Sequence, residues 1–349
     1  MSILRLSGNQ PANRFYRGGA KIRAFRAGKG AAASGSHVPE DWVGSTTTIF
    51  GEASLGLSRV AGGQSLRDAV AEDPVHWLGE EHVIAFGADT MVLVKMLDAG
   101  QRLPVHLHPT RHFAATHLGR HHGKAEAWLV LEGGIVHLGF RHDVLAYELA
   151  EWVRTQDTSA MLDAMHAIEV FPGDSVFVPP GMPHAIGEGV FLVEVQEPED
   201  LSILLEWDGY ALDGTSKGHL GLGFRTALSA IDHRGRSEAK IGALITRAGA
   251  STLAAGSEVF FRVERLTASG RIELDAGFGV IVVTVGEGSL ETADGQRLAV
   301  AAGDTLLVPF GAGRVLAGGS MDFIWCRPPM PGPEHSVSST SGARSRTSL

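Results

Sequence analysis

Three histidines of this 349-residue chain have the types and spacing needed to bind one metal ion. His106 and His108 are two residues apart in "PVHLHP", so on an extended strand their side chains point to the same face. His184 follows the turn sequence "PPGMP", which can bring it into the same cavity from a neighbouring strand. Imidazole is a common ligand of zinc, iron, nickel and copper. The three positions together therefore favour metal ligation over a role as polar residues at strand ends.

Four further histidines lie in the segment that follows the first pair. This segment is typical of a loop or a short helix, and polar loops generally lie on the surface. We therefore predict that they are solvated or form a lid at the cavity mouth. They are His112, His117, His121 and His122.

The chain around these histidines has the pattern of many short strands. Segments such as "TMVLVKMLDAG", "AEAWLVLEGGIVHLGF" and "GVIVVTVGEG" are rich in β-forming residues and end in Gly, Pro or Asp. Strands that recur this often favour a sandwich or barrel over a parallel sheet with crossover helices. Helical periodicity is confined to residues 65–78, an insert at about 142–168 and a short segment from Phe224. We therefore predict an all-β fold with a small helical insertion.

An internal repeat indicates two related barrels in tandem. "GDSVFVPPGMPH" and "GDTLLVPFGAGR" share Gly-Asp, a strand ending in Val, and Pro-x-Gly. The second copy has Arg314 where the first has His184, which predicts a metal-free second barrel. The predicted domains are residues 1–232, an N-terminal segment with the metal-binding barrel and its insert, and residues 233–327, the second barrel. Residues 328–349, rich in Pro, Ser and Gly, are predicted to be a disordered tail.

The composition restricts the partners and the location. The formal net charge of −9 disfavours nucleic acid and membranes as partners, although one local basic pocket could still hold an anionic substrate. The single cysteine, Cys326, excludes an internal disulfide and suits a reducing compartment. The first residues lack the apolar core of a secretory signal. We therefore expect a cytoplasmic protein.

Two motifs resemble those of the cupin superfamily, whose jelly-roll barrel holds one metal on converging histidines. They are "GQRLPVHLH" and "GDSVFVPPGMPH". Ordinary cupins have a Glu four or five positions after the His-x-His, where this chain has His112 and Phe113. A different acid is available in "GKAEAWLVLEGG", where Lys124 and Glu126 lie two apart on one strand face.

The whole arrangement resembles the type I mannose-6-phosphate isomerases, especially their short bacterial form. The order is "VLVKMLDAGQRLPVHLHP", "GKAEAWLVLE", the helical insert, "FPGDSVFVPPGMPHAI" and "GVFLVEVQ". Upstream, "YRGGAKIRAF" and "PEDWVGS" are similar to two further segments of the family. The likeness covers about residues 16 to 326. It implies two tandem cupin barrels and a sugar or sugar phosphate as the small-molecule partner; the oligomeric state stays open.

The resemblance also implies a ligand set for one divalent metal: His106, His108, Glu126 and His184. The family has Gln at the first of these positions, and imidazole is a competent replacement. Zinc is the family's usual metal, and three histidines with one carboxylate also suit iron, manganese, nickel or cobalt.

Three further positions match family residues for proton transfer or substrate orientation in aldose–ketose isomerisation: Lys124, Glu194 and Lys95. Because Lys124 is expected to be partly desolvated beside a cationic metal, we expect its pKa to be lowered.

Three departures concern the phosphorylated end of the substrate. The family's Arg about twenty residues after the last histidine is Leu204, its Ser before the first ligand is Pro104, and a Trp is Arg17. Arg holds phosphate through two hydrogen bonds, which Leu cannot do. We therefore expect weak or absent turnover of mannose 6-phosphate unless Lys217, Arg225 or Arg17 reaches the pocket.

Two other functions remain open at this stage. An iron- or nickel-dependent oxygenase would also use a metal with open coordination positions. A sugar-binding or sensing protein could have kept the site without turnover. One scaffold supports many functions, so fold resemblance does not separate these alternatives.

Overall fold

The structure of the protein is a computed structural model that describes residues 2–27, 33–249 and 253–332. The strands are β1 (Leu4–Arg5), β2 (Glu40–Val43), β3 (Leu93–Asp98), β4 (His106–Leu107), β5 (Glu126–Glu132), β6 (Gly134–Phe140), β7 (Met165–Val170), β8 (Ser175–Val178), β9 (His184–Ile186), β10 (Phe191–Gln196), β11 (Ile203–Leu204), β12 (Ile245–Thr246), β13 (Arg262–Ala268), β14 (Arg271–Leu274), β15 (Gly279–Thr292), β16 (Arg297–Ala301), β17 (Thr305–Val308) and β18 (Val315–Arg327). The α-helices are α1 (Ala20–Arg26), α2 (Leu66–Glu72), α3 (Pro74–Leu78), α4 (Glu80–Phe86), α5 (Arg111–Leu118), α6 (Ala146–Thr155), α7 (Thr158–Ala164), α8 (Gly214–Lys217), α9 (Phe224–Ala227) and α10 (Glu238–Gly242). Two short 3-10 helices span Leu228–Ala230 and Phe310–Ala312. None of the described helices is long and apolar enough to cross a bilayer.

The strands form three antiparallel sheets, and the prediction of an all-β fold with two tandem jelly-roll barrels is confirmed. The first barrel consists of a six-stranded sheet, β12-β8-β5-β10-β3-β2, and a five-stranded sheet, β11-β4-β9-β6-β7. The second barrel is one sheet, β1-β17-β15-β18-β13, with β16 added to β15 and β14 added to β18. The long strands β15 and β18 change partners along their length, which lets this one sheet surround its own apolar cluster.

The helical insertion lies in the first barrel, between β6 and β7, as the periodicity predicted. Helices α6 and α7 occupy most of the predicted range, but its last residues, from Met165, belong to strand β7. The apolar faces of both helices pack on residues of the barrel, including Leu149 and Met161 in one buried cluster. The Ser65 hydroxyl caps helix α2, because it accepts a hydrogen bond from the Asp68 amide.

The two copies of the internal repeat have the same local structure. In the first copy the Asp174 carboxylate accepts a hydrogen bond from the Phe171 amide at 3.0 Å. In the second the Asp304 carboxylate accepts one from the Ala301 amide at 2.8 Å. The glycine before each aspartate has a positive φ, 90° and 88°, which favours glycine over other residues. Both turns lead into equivalent strands, β8 and β17.

The six-stranded sheet has one polar face and one apolar face. Lys95, Glu194 and Trp128 are register partners across β3, β10 and β5, and so lie on one face. Their chain neighbours Met96 and Val193 belong to the apolar cluster that also holds residues of the second barrel. Because side chains alternate along a strand, packing between the barrels turns the polar face toward the interior of the first barrel.

Two pairings cross the predicted boundary between residues 232 and 233. β1, from the N-terminal segment, pairs with β17 of the second barrel, and β12 pairs with β8 of the first. The division into separate domains stays a prediction. Residues 333–349 of the predicted tail lie outside the described residues, whereas the Pro328 carbonyl accepts a hydrogen bond from Arg262 Nε.

Candidate metal centre

The three predicted metal histidines converge inside the first barrel. His106 on β4 and His184 on β9 are direct partners in the five-stranded sheet, and His108 follows β4 immediately. All three side chains are buried, and one ring nitrogen from each can be chosen so that the three lie within 4.8 Å of one another. Among the described residues, no other group of His, Cys, Asp or Glu side chains is arranged in this way.

Backbone carbonyls fix the orientation and tautomer of each imidazole. His106 Nδ1 donates to the Pro104 carbonyl at 2.8 Å, His108 Nδ1 to Leu201 at 2.8 Å, and His184 Nδ1 to Met182 at 2.9 Å. Because a carbonyl only accepts, each Nδ1 carries the proton and each Nε2 presents a lone pair. The sequence reasoning did not identify these three carbonyls, and no sequence signal indicates them.

Glu126 comes to the same point from the opposite sheet. Its Oε2 lies 2.9 Å from His108 Nε2, and its Oε1 lies 3.3 Å from His184 Nε2. The Trp128 indole also donates to Oε1 at 2.9 Å. Burial by itself would raise the pKa of Glu126, but the positive charge of Lys124 and the contacts with His108 outweigh it and hold the pKa well below its usual range. The carboxylate is therefore ionised.

The donor set fits a divalent cation. Three imidazole lone pairs and one carboxylate face each other in a buried space, and His184 Nε2 has no hydrogen-bond partner among the described residues. Burial lowers the pKa of His106 and lowers that of His108 to about 3, so neither ring gains a proton near neutral pH. Buried nitrogen and oxygen acceptors that face each other repel, so this arrangement is unfavourable unless a cation lies between them. Three His nitrogens and one carboxylate oxygen suit zinc and similar ions.

Lys124, Lys95 and Glu194 lie beside this donor set. Glu194 Oε1 is 3.8 Å from Lys124 Nζ and 3.6 Å from Lys95 Nζ, and it is buried without a hydrogen-bond partner among the described residues. Burial and the neighbouring charge of Glu126 raise the pKa of Glu194, although the two lysines partly oppose this. The structure thus places all seven predicted site residues in one region of the barrel.

The carboxylates around Lys124 oppose the expected lowering of its pKa, which concerns the metal-loaded site and stays a prediction. Burial would lower it, but Glu126, Glu194 and Asp200 favour the charged ammonium and raise its pKa overall. Lys124 Nζ lies 2.9 Å from Glu126 Oε2 and donates to His108 Nε2 at 2.9 Å. The sequence could not reveal this outcome, because the three carboxylates come from distant parts of the chain.

A cavity of about 630 Å³ is lined by five of the predicted site residues: His106, Glu126, Lys95, Lys124 and Glu194. Sequence reasoning missed three of its charged residues: Glu40, Arg14 and Asp200. Glu40 accepts hydrogen bonds from Arg14 at 2.8 Å, Tyr16 at 2.7 Å and Trp42 at 2.8 Å. The motif "PEDWVGS" was a signal for Glu40, whereas nothing in the sequence pointed to Arg14 or Asp200.

The cavity wall near His106 contains two of the departures at the phosphate end. Leu204 and Pro104 both line the cavity. Of the three cations that could compensate, Lys217 lines the cavity, whereas Arg17 and Arg225 are exposed and do not.

Four histidines after His108 were predicted to be solvated or to form a lid. Three of them lie on the surface, and one is buried. His112 and His117 on α5 and His121 beyond it are exposed. His122 is buried instead, and its Nε2 lies 2.7 Å from Asp89 Oδ2. None of these four belongs to the histidine cluster.

A buried carboxylate supports the segment that carries Lys124 and Glu126. Glu197 Oε2 accepts a hydrogen bond at 2.9 Å from the amide of Ala125, the residue between them. The Arg111 guanidinium donates to its other oxygen. Glu197 therefore fixes the backbone from which both side chains extend.

Comparisons with known proteins show a similar fold. No protein-family model matches the chain. The chain is 28% identical over 247 residues to the mannose-6-phosphate isomerase of Streptococcus mutans serotype c, covering 68% of this chain and 75% of that protein. The crystal structure of the mannose 6-phosphate isomerase from Bacillus subtilis has a TM-score of 0.70 at 20% identity, covering 94% of this chain and 100% of that chain. A mannose 6-phosphate isomerase bound with zinc and yttrium has a TM-score of 0.69 at 15% identity, covering 95% and 100%.

Two tandem jelly-roll barrels, with a buried histidine cluster in the first, define a two-barrel protein of the cupin type. The solved structures by themselves show only the fold. The sequence identity to curated isomerases indicates which proteins with this fold the chain resembles. The chain is similar to curated mannose-6-phosphate isomerases, with 28% and 26% identity over 68% and 64% of its length.

Proposed function

We propose that the protein is a metal-dependent aldose–ketose isomerase that interconverts mannose 6-phosphate and fructose 6-phosphate or a closely related sugar pair. One observation carries the proposal: His106 and Glu126, two members of the donor set completed by His108 and His184, line the same cavity as Lys124 and Glu194. The reaction needs an electrophile next to groups that move protons, and this cavity combines both.

The metal in this proposal is a single divalent ion, with zinc as the first candidate. His106, His108, His184 and Glu126 would hold it through three nitrogens and one oxygen. When bound, such an ion polarises a sugar carbonyl or hydroxyl oxygen. The Nε2 lone pairs and the ionised carboxylate support this assignment, and zinc in a structurally similar isomerase supports the choice of metal.

The proton transfers fall to residues of the chain. Isomerisation removes a proton from the carbon beside the carbonyl and returns a proton to the former carbonyl carbon, so no oxidant or reductant is consumed. Glu194 is suited to accept and return that proton because its buried Oε1 has no hydrogen-bond partner among the described residues. Lys95 and Lys124 flank this oxygen and can donate to sugar oxygens from fixed positions.

The proposed setting is the cytoplasm, with a small sugar or sugar phosphate as the small-molecule partner. An isomerisation assay on mannose 6-phosphate, fructose 6-phosphate and the two unphosphorylated sugars, combined with metal analysis of the purified protein, tests the proposal. We expect one bound divalent ion per chain and interconversion of at least one sugar pair, which is lost with a chelator and restored by zinc. Oxygen consumption without isomerisation would instead indicate an oxygenase, and sugar binding without turnover would indicate a binding protein.

A further inference from the structure

A second cavity, of about 540 Å³, lies between the two barrels. It extends the apolar cluster in which the barrels pack together, and its apolar lining includes Phe25, Leu129, Leu131, Phe191, Val285 and Ile324. Leu129 and Phe191 belong to β5 and β10, the strands that carry Glu126 and Glu194 on their opposite face. Val285, at the rim, is exposed, so the cavity is open to solvent. This cavity therefore lies behind the candidate metal centre and is separate from it.

Two opposite charges lie on the second-barrel wall of this cavity. They are Arg265 on β13 and Asp322 on β18, and both are half-buried. Asp322 is the register partner of Thr267, which lies two residues after Arg265, so the two charged side chains are diagonal neighbours on one face of the sheet. Within the part of the chain that the structure describes, neither forms an ion pair. Arg265 Nη2 donates instead to the backbone carbonyl of Asp174 at 2.8 Å.

The other carboxylates near Arg265 are paired with other cations. The Asp174 carboxylate is held by Arg247 at 2.6 Å. Glu132, which also lines the cavity, pairs with Lys21 at 2.6 Å. Burial lowers the pKa of Arg265, and the charge of Asp174 opposes this only in part. A half-buried guanidinium without a carboxylate partner gains from an anionic ligand group, since charge-assisted hydrogen bonds are strong.

We propose that the cavity between the barrels binds a free amino acid with a large apolar side chain. The ligand carboxylate accepts hydrogen bonds from Arg265, and the ligand ammonium donates to Asp322. The apolar side chain lies against Leu129, Phe191 and Ile324, which removes their surface from water. Two opposite charges that do not pair with each other select a zwitterion, and the apolar walls select a hydrophobic one. This second site is independent of the proposed function.

Calorimetric titration of the full-length, zinc-loaded protein tests this site. The probes are L-leucine and L-phenylalanine, together with two leucine analogues: 4-methylpentanoate, which lacks the ammonium group, and 3-methylbutylamine, which lacks the carboxylate. We expect at least one of the two amino acids to bind, and leucine to bind about tenfold more tightly than either analogue, because each analogue loses one charge-assisted contact. This comparison on the unaltered protein requires no substitution.

Two substitutions assign the two charges. Arg265→Met should weaken amino acid binding about tenfold and leave 3-methylbutylamine binding unchanged, whereas Asp322→Asn should weaken it similarly and leave 4-methylpentanoate binding unchanged. Arg262→Met is the matched control, because Arg262 is also half-buried on β13 but lines a different cavity. It should leave all dissociation constants unchanged.

Three results would overturn the amino acid site. They are no binding of either amino acid, equal binding of leucine and its two analogues, and equal amino acid binding by the unaltered protein and Arg265→Met. Any of these, with isomerisation of a sugar pair intact, leaves the proposed function standing. Amino acid binding through Arg265 and Asp322 without any isomerisation would do the reverse.

Discussion

Leu204 and His106 are antiparallel partners on the neighbouring strands β11 and β4. The register places an apolar side chain directly beside a candidate metal ligand, on the wall of the cavity. The side chain at position 204 therefore determines which chemical group faces the cavity beside His106.

Leu204→Arg should strengthen the binding of phosphorylated ligands. The new guanidinium would add a fixed positive charge with a planar pair of donors beside the cavity. We expect the KM for mannose 6-phosphate to fall severalfold, with little change for mannose. Leu204→Met, which keeps an apolar side chain of similar size, is the control. An unchanged KM in a folded Leu204→Arg protein would show that the substrate's anionic end lies elsewhere.

Replacement of a histidine in the cluster should remove the metal. His108→Ala and His184→Ala each delete one of the few donors, so metal content should fall from about one ion per chain to a small fraction of that. His121→Ala should retain the metal, because His121 is exposed and outside the cluster. Elemental analysis of the purified proteins measures this. Equal losses in all three variants would contradict the ligand assignment.

Lys124→Met should reduce turnover while the protein keeps its metal. The side chain contacts Glu126 and lies 3.8 Å from Glu194, so its loss removes a fixed donor from the reacting region. We expect kcat to fall by about 10²- to 10⁴-fold, the usual range for a proton-transfer group. Lys240→Met, a change at an exposed lysine on α10, is the control. If the Lys124→Met protein loses its metal, the role of Lys124 is instead to hold Glu126 in position.

Glu197→Gln should destabilise the strand that carries Glu126. The substitution removes the charge that faces Arg111 and weakens the hydrogen bond to the Ala125 amide. We expect a loss of about 1–3 kcal/mol in the free energy of unfolding, typical of a broken buried charge-assisted network, and weaker metal retention. Urea unfolding and metal analysis measure both effects. Glu199→Gln, at a less buried position two residues later, should change neither.

His122 should make stability depend on pH in the alkaline range. Burial would lower its pKa, but the hydrogen bond to Asp89 and the charge of Glu197 raise it from 6.5 to about 9. A raised pKa in the folded state means that the stabilisation is complete below pH 6.5 and is lost as pH rises through 9. We expect a contribution on the order of 2 kcal/mol.

Thermal unfolding of the unaltered protein and of His122→Gln between pH 6 and pH 10 checks this effect. The difference in melting temperature should be largest at pH 6 and should shrink toward pH 10. His121→Gln should follow the unaltered protein throughout, because His121 is exposed. A difference that does not change with pH would show that His122 acts through packing alone.

Much of the fold followed from local pattern. Alternation and turn residues predicted the strands, and the repeated Gly-Asp segment predicted two barrels with equivalent turns at Asp174 and Asp304. The His-x-His spacing placed His106 and His108 together, because side-chain direction along a strand has a period of two. His122 was misjudged because its environment depends on Asp89, a residue far away in sequence.

The sequence by itself thus determined the strand pattern, the repeat and the residue types of a metal site, since these depend on short-range periodicity. Only the tertiary structure decided how they combine. It brought Glu126 from one sheet to the histidines of the other, and set the pKa of Lys124 above its usual value through distant carboxylates. It also joined Leu204 of β11 to Gly218, the residue after α8, through one backbone hydrogen bond. Electrostatics and side-chain contacts act across space, so residues far apart in sequence fixed these features.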